Sequence, residues 1–98
     1  MKVVWSQSAT EHLTNIFEYI SRDSERYALR MIDRITARSK QIGYAPESGQ
    51  IVTEYEHPHV REVIEGPYRV IYRTESARVV VLAVIHGARV LPSLSSLG

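Results

Sequence analysis

Residues 79–85 form an unbroken apolar run, Val-Val-Val-Leu-Ala-Val-Ile. The run is short and rich in β-branched residues, which favours a strand over a helix. A strand without polar alternation is typically an inner strand, covered on both faces. This run therefore predicts a sheet with a buried central strand, around which the rest of the chain has to pack.

The second half of the chain has the texture of a sheet. From residue 44 onward, glycine and proline interrupt short runs of Val, Ile, Tyr and Thr, which predicts strands at roughly residues 50–54, 60–65, 68–74 and 78–86. The connections are short, so neighbouring strands should be antiparallel and the last three should form a meander. In residues 68–74, alternation places Val70 and Tyr72 on one face and Arg69, Ile71 and Arg73 on the other.

The first half shows helical periodicity instead. Apolar residues at positions 9, 13, 16 and 20 predict a helix from residue 7 or 8 to residue 21, with Ser8 and Glu11 as a capping box. A second helix should start after Asp23 or Ser24 and stop at Gly43. Its apolar stripe consists of Ala28, Met31 or Ile32, Ile35 and Ile42. The link between the helices is short, so they should form an antiparallel hairpin.

Together these elements predict an α+β fold in one domain, residues 1–98. A β-prone segment at residues 3–5 comes first, then the helical hairpin, then a mostly antiparallel four-strand meander. The hairpin should cover one sheet face and leave the other partly open. The tail, residues 91–98, lacks a firm pattern, so we expect it to be frayed or ordered by a partner.

Several classes of site are disfavoured by composition. The sequence has no cysteine, and its four histidines form no H-x-x-x-H pair, so we predict neither metal nor cofactor. His57 and His59 flank a proline in a polar loop, where solvation is the simpler interpretation. No G-x-S-x-G elbow or glycine-rich phosphate loop occurs. No secretory signal or membrane span is evident either, which predicts a cytoplasmic protein without membrane contact.

Positive charge in the second half comes only from arginine. The formal net charge is +1, and residues 60–98 hold five Arg against three Glu. A basic set spreads over this region, and it could hold a scissile RNA phosphate while histidine moves protons. The same set could instead form an arginine-rich sheet face that binds an acidic protein, and we favour this second interpretation. The set consists of Arg61, Arg69, Arg73, His86 and Arg89.

Six segments, in this order along the chain, resemble those of the ParE/RelE superfamily of toxins, often called plasmid-stabilisation proteins. They are Val3-Val4-Trp5-Ser6, Ile16-Phe17-Glu18-Tyr19-Ile20, Pro46-Glu47-Ser48-Gly49, Val60-Arg61-Glu62, Gly66-Pro67-Tyr68-Arg69-Val70-Ile71-Tyr72 and Ile85-His86-Gly87-Ala88-Arg89. The resemblance implies a type II toxin–antitoxin system, in which a cognate antitoxin wraps and neutralises the toxin. Contact with DNA would then be indirect, through the antitoxin.

Two targets are known for the superfamily, the ribosome for RelE-like nucleases and DNA gyrase for ParE-like toxins. RelE-like catalytic lysines would fall near Val60 and Glu62, but no lysine follows Lys40, and no tyrosine follows Tyr72. The long hairpin also looks more ParE-like. We therefore predict a non-enzymatic gyrase inhibitor. The alternatives are a ribosome-dependent mRNA endoribonuclease using Arg69, His86 and Arg89, or a non-toxic relic that only binds its antitoxin.

For the antitoxin surface, we predict the open sheet face together with the exposed hairpin. Arg61, Arg69 and Arg73 should pair with acidic residues of the antitoxin, because their alternation places them out of the apolar set.

Overall fold

A mixed five-stranded sheet carries both helices on one face in this computed structural model, which describes residues 1–97. The elements in chain order are β1 (Lys2–Trp5), α1 (Gln7–Ser21), α2 (Glu25–Tyr44), β2 (Gln50–Ile51), β3 (Val60–Glu65), β4 (Tyr68–Thr74), β5 (Arg78–His86) and a short 3-10 helix (Leu94–Leu97). The strand order is β1-β5-β4-β3-β2. Only β1 and β5 pair in parallel, and the other pairs are antiparallel. The predicted α+β fold and four-strand meander are confirmed.

Serine side chains start both helices. The Ser24 Oγ accepts a hydrogen bond from the Tyr27 amide at 3.1 Å, as predicted for α2. In α1 the predicted cap at Ser8 is wrong, because the cap is Ser6, whose Oγ accepts from the Ala9 amide at 3.1 Å. The Ser6 amide still donates to the Val81 carbonyl at 2.9 Å, so the helix begins directly where pairing with the sheet ends. At the other end, α2 extends one residue beyond the predicted stop at Gly43.

The helix face of the sheet holds the first hydrophobic core. Ala28, Met31, Ile35 and Ile42 are buried, as the periodicity of α2 predicts. Met31, Ile35 and Ile42 join a cluster with sheet residues that include Val63, Val70, Tyr72, Val81 and Val84. This face of the sheet is therefore sealed by the hairpin.

The opposite face of the sheet, here called the outer face, carries a second core. Val60, Ile71 and Leu82 lie at its centre, and Val52 and Leu97 complete the cluster. The prediction that this face is partly open is therefore wrong. The prediction of a frayed or partner-ordered tail is wrong for residues 91–97, since Leu97 is only 2% exposed. Gly98 lies outside the described residues. Apolar side chains in the tail pack here because the outer face of an all-apolar strand has to be covered.

β5 is covered on both faces, as its unbroken apolar run predicts. A register shift places Leu82 between the pairs Tyr72↔Val81 and Ile71↔Ala83. Leu82 and Ala83 both belong to the outer-face cluster, whereas Val81 and Val84 belong to the helix-face cluster. The bulge thus lets two successive residues of β5 pack into the outer core.

No helix within residues 1–97 is long and apolar enough to cross a membrane.

The predicted strand at residues 50–54 is too long. β2 ends at Ile51, and the chain then turns, with the Val52 carbonyl accepting from the Tyr55 and Glu56 amides, each at 3.2 Å. Glu56 has a φ of 50°, in the left-handed region. The turn buries Val52 in the outer core and leaves Glu54 beside β3 and β4.

Candidate functional site

Arg69 lies at the centre of an ion-paired cluster on the outer face. Its Nε donates to Glu62 Oε1 at 2.6 Å and its Nη2 to Glu62 Oε2 at 2.8 Å. Towards Glu54, Nη1 donates at 2.7 Å and Nη2 at 2.9 Å. The side chains of Arg69 and Glu62 are each only 14% exposed, whereas that of Glu54 is 49% exposed. One guanidinium therefore forms forked pairs with an inner and an outer carboxylate.

The electrostatics follow from this geometry. Hydrogen bonds from Arg69 lower the pKa of Glu54 to about 2, from an ordinary value of 4.5. Hydrogen bonds to Glu54 and then to Glu62 raise the pKa of the Arg69 guanidinium. Arg69 and Glu54 thus each stabilise the charged form of the other.

The β3–β4 hairpin positions this cluster. Arg69 pairs with Ile64, and Glu62 lies two residues away on the same face of β3, the diagonal neighbour that long side chains reach. The tight connection at Gly66 and Pro67 sets this register, with Gly66 at a φ of 57°. Glu62 was thus findable from the hairpin pattern. Glu54 was not, because the local pattern predicts a strand at residues 50–54 and the chain instead turns after Ile51.

Arg73 shares the outer face with Arg69, as predicted, but it is also paired. Its Nη2 lies 3.0 Å from Glu75 Oε2, and Arg78 Nε lies 2.7 Å from Glu75 Oε1. Hydrogen bonds from Arg78 and then from Arg73 lower the pKa of the Glu75 carboxyl. Glu75 therefore joins two arginines at the β4–β5 turn.

Arg61 does not lie on the face of Arg69 and Arg73. It pairs with Tyr72, whose side chain belongs to the helix face, so Arg61 and Arg69 lie on opposite faces of the sheet. Arg61 Nη1 donates to the Gly49 carbonyl at 2.8 Å. Strand alternation explains the result, since residues 61 and 73 lie on neighbouring strands in a register that separates them by face.

His86 and Arg89 lie on the helix side of the sheet and line a small cavity of about 200 Å³. The ring of Tyr68, which pairs with His86 across the strands, stands edge-on to the imidazole with 5.7 Å between centroids. Burial, followed by the nearby hydroxyls of Tyr19 and Tyr27, raises the pKa of Tyr68. The structure brings His86 and Arg89 together but leaves Arg69 on the opposite face. The three residues considered for RNA cleavage therefore do not form one constellation.

The remaining histidines form no ligand set. The rings of His57 and His59 stand 6.0 Å apart, and His57 Nδ1 accepts from the His59 amide at 3.1 Å. His12 Nδ1 accepts from the Val84 amide at 3.2 Å, beyond the end of β1, and burial lowers its pKa. Within residues 1–97, no group of three His, Cys, Asp or Glu side chains could hold a metal ion.

These features define a class of small α+β proteins in which a helical hairpin covers one face of a largely antiparallel sheet. The model of the family described as ParE toxin of the type II toxin–antitoxin system parDE matches residues 3–91. The chain belongs to this toxin family, and the resemblance noted in the sequence is confirmed.

One relative supports this assignment, and one solved structure shares the fold. Toxin RelE2 of Caulobacter vibrioides is 32% identical over 89 residues, which cover 90% of this chain and 97% of that protein. A solved structure described as the chromosomal ParDE TA system from P. aeruginosa superposes with a TM-score of 0.73 at 20% identity. That match covers 88% of this chain and 95% of the other, and it shows a shared fold.

Proposed function

We propose that this toxin inhibits DNA gyrase in the bacterial cytoplasm and is neutralised by a cognate antitoxin bound to its outer face. The observation that carries the choice of target is the state of Arg69. Its guanidinium forms four hydrogen bonds to Glu54 and Glu62, so a phosphate could bind it only by displacing one of these carboxylates.

The other groups that RNA cleavage needs are not assembled either. His86 and Arg89 lie on the far side of the sheet from Arg69. β3 contains no lysine, and no tyrosine lies between Tyr72 and residue 97. Phosphoryl transfer depends on cations placed around one developing charge. This arrangement supports a toxin that acts by binding rather than by cutting RNA.

The experiment compares two assays on one toxin preparation. In the first, purified gyrase supercoils a relaxed plasmid with and without toxin, and we expect loss of supercoiling with accumulation of cleaved-DNA complexes. In the second, programmed ribosomes translate a defined mRNA, and we expect intact message. Codon-dependent cuts with normal supercoiling would overturn the proposal in favour of a ribosome-dependent nuclease. If the protein is inactive in both assays but still binds the antitoxin, it is a non-toxic relic that only binds its antitoxin.

The antitoxin surface is a further part of this proposal, which narrows the expected surface to the outer face and leaves the exposed hairpin out of it. Arg69 and Arg73 share the outer face, and their partner carboxylates Glu54 and Glu75 lie at the surface. An acidic antitoxin segment can replace an exposed internal carboxylate at little net cost, since exposed ion pairs contribute little. In this scheme Glu54 occupies the place that a carboxylate of the antitoxin takes in the complex. Arg61 is proposed only as a flanking contact, because it is bonded on the other face.

Two charge changes with opposite expected effects test this placement. Arg73→Glu should weaken antitoxin binding by about tenfold or more, because it sets like charges against each other. Glu54→Gln should strengthen binding, because Arg69 is then less occupied. Lys40→Glu on α2 is the matched charge-reversal control. Equal affinities for wild type, Arg73→Glu and Glu54→Gln in titration calorimetry would show that the antitoxin binds elsewhere.

A further inference from the structure

Three tyrosines gather where the helical hairpin turns, next to the end of the sheet. Tyr19 is 63% exposed and Tyr27 is 50% exposed, although both are large aromatic side chains. Tyr68 is half-buried beside them, and burial together with the hydroxyls of Tyr19 and Tyr27 raises the pKa of its own hydroxyl. The Arg22 guanidinium lies 5.9 Å from the centroid of the Tyr19 ring. We call this surface, with His86 and Arg89, the tyrosine patch.

A cavity opens within the tyrosine patch. Its volume is about 200 Å³, and its walls come from both helix α1 and the ends of β4 and β5. A cavity of roughly 150 Å³ is large enough to hold a benzene ring. The cavity therefore has room for one aromatic or branched side chain of a partner. It is lined by Asn15, Ile16, Tyr19, Tyr68, His86 and Arg89.

The charges around the patch favour a protein over a nucleic acid. Residues 18–27 and Arg89 together carry three carboxylates and three arginines, so the patch lacks the excess positive charge that binds a polyphosphate backbone. Arg89 is exposed, and no carboxylate within residues 1–97 forms a salt bridge with it. Tyrosine and arginine around a central pocket are the composition of protein-binding hot spots.

The patch also lies apart from the proposed antitoxin surface. Tyr68 and His86 project on the helix side of the sheet, whereas Arg69 and Arg73 lie on the outer face. Two proteins can therefore approach the toxin from opposite sides of one sheet.

We propose that the tyrosine patch docks the protein that the toxin inhibits, which inserts an apolar side chain into the cavity and pairs a neighbouring carboxylate with Arg89. This inference rests on the proposed function, in that it assumes a protein target, but it does not require that target to be gyrase. Tyr19 and Tyr68 form the walls that hold the inserted side chain. Arg89 selects partners with an acidic residue next to that anchor.

The test uses substitutions at exposed positions, which leave the core intact. Tyr19→Ala and Arg89→Glu each change the patch, and Tyr44→Ala and Lys40→Glu are matched controls at the far end of α2, where Tyr44 is 92% exposed. Three quantities are measured for each variant: growth arrest on expression without antitoxin, the toxin concentration that halves gyrase supercoiling, and antitoxin affinity by calorimetry. Thermal unfolding confirms that each variant is folded.

We expect Tyr19→Ala and Arg89→Glu to raise the inhibitory concentration by about tenfold or more and to relieve growth arrest, because loss of a hot-spot contact costs at least that much. Antitoxin affinity should stay within about twofold, and the controls should match wild type. Unchanged growth arrest in both patch variants would overturn the inference, as would a parallel loss of antitoxin binding. If wild type leaves gyrase unaffected but the patch variants still relieve growth arrest, the patch stands and gyrase is the wrong target. If wild type cleaves mRNA on the ribosome and these variants cleave it equally well, both the proposed function and the docking role of the tyrosine patch are wrong.

Discussion

Arg69 shows how one side chain can join three separate parts of the sheet. It comes from β4, while its partners come from β3 and from the turn after β2. Its planar fork matches two carboxylates at once, which a lysine ammonium cannot do. Since Arg69 and Glu62 are mostly shielded from water, their pairing contributes more than a surface ion pair does.

Arg69→Lys should therefore lower the free energy of unfolding by about 1–3 kcal/mol, because the mostly shielded Glu62 side chain loses its forked partner. Urea denaturation at neutral pH measures this difference. Arg78→Lys is the control, since its side chain is 52% exposed and the change should cost less than about 0.5 kcal/mol. Equal midpoints for wild type and Arg69→Lys would show that the fork geometry adds no stability.

Glu54 makes the stability of the folded chain depend on pH in the acidic range. Its pKa in the folded chain is about 2, below the ordinary 4.5, so its ionisation favours folding above pH 4.5. That contribution is lost as the pH falls from 4.5 towards 2. Glu54→Gln should consequently be less stable than wild type at pH 6, and the gap should narrow as the pH falls through this window. A gap that stays constant from pH 6 to pH 3 would contradict the assigned ion pair.

At the scale of elements, the outer face of the sheet is covered by short segments of the chain and not by long helices. The turn after β2 supplies Val52, and the short 3-10 helix supplies Leu97. Both side chains are almost fully buried. Because β5 is apolar on both faces, these two segments cover the side that the hairpin cannot reach.

Leu97→Ala should lower the free energy of unfolding by about 2–3 kcal/mol, the cost of a cavity at a buried leucine. Ser95→Ala, an exposed position in the same 3-10 helix, is the control and should leave stability nearly unchanged. Thermal or urea unfolding of the two variants decides. If both variants match wild type, the tail does not contribute to the core in solution.

The helices and the three long strands could be predicted because their periodicities are strong and local. The shared face of Arg69 and Arg73 was predictable for the same reason, since both lie on β4 and are four residues apart. The start of α1 was predicted within one residue, but its cap was missed because Ser6 and Ser8 are both good caps, and only pairing with β5 selects Ser6. The role of Glu54 and the packing of Leu97 depend on long-range contacts, which local patterns do not encode.

For the whole molecule, the small size makes partner binding matter. A chain of 98 residues has a thin core, and a ligand that binds only the folded form adds stability by mass action. At a free antitoxin concentration of 100 Kd the gain is about 2.7 kcal/mol, which should raise the Tm by about 10–20 °C. Differential scanning calorimetry with increasing antitoxin measures it. A Tm independent of antitoxin would exclude selective binding to the folded toxin.

Pairing between β1 and β5 also determines when the chain can fold during its synthesis on the ribosome. Lys2 pairs with Arg78, so the first strand to leave the exit tunnel waits for the last strand before it finds its place. β5 separates β1 from β4, and it carries the inner residues of both cores. A polypeptide whose translation stops before residue 78 thus lacks the strand that organises either surface. Incomplete chains are therefore not toxic, because the toxin can fold only after β5 has been synthesised.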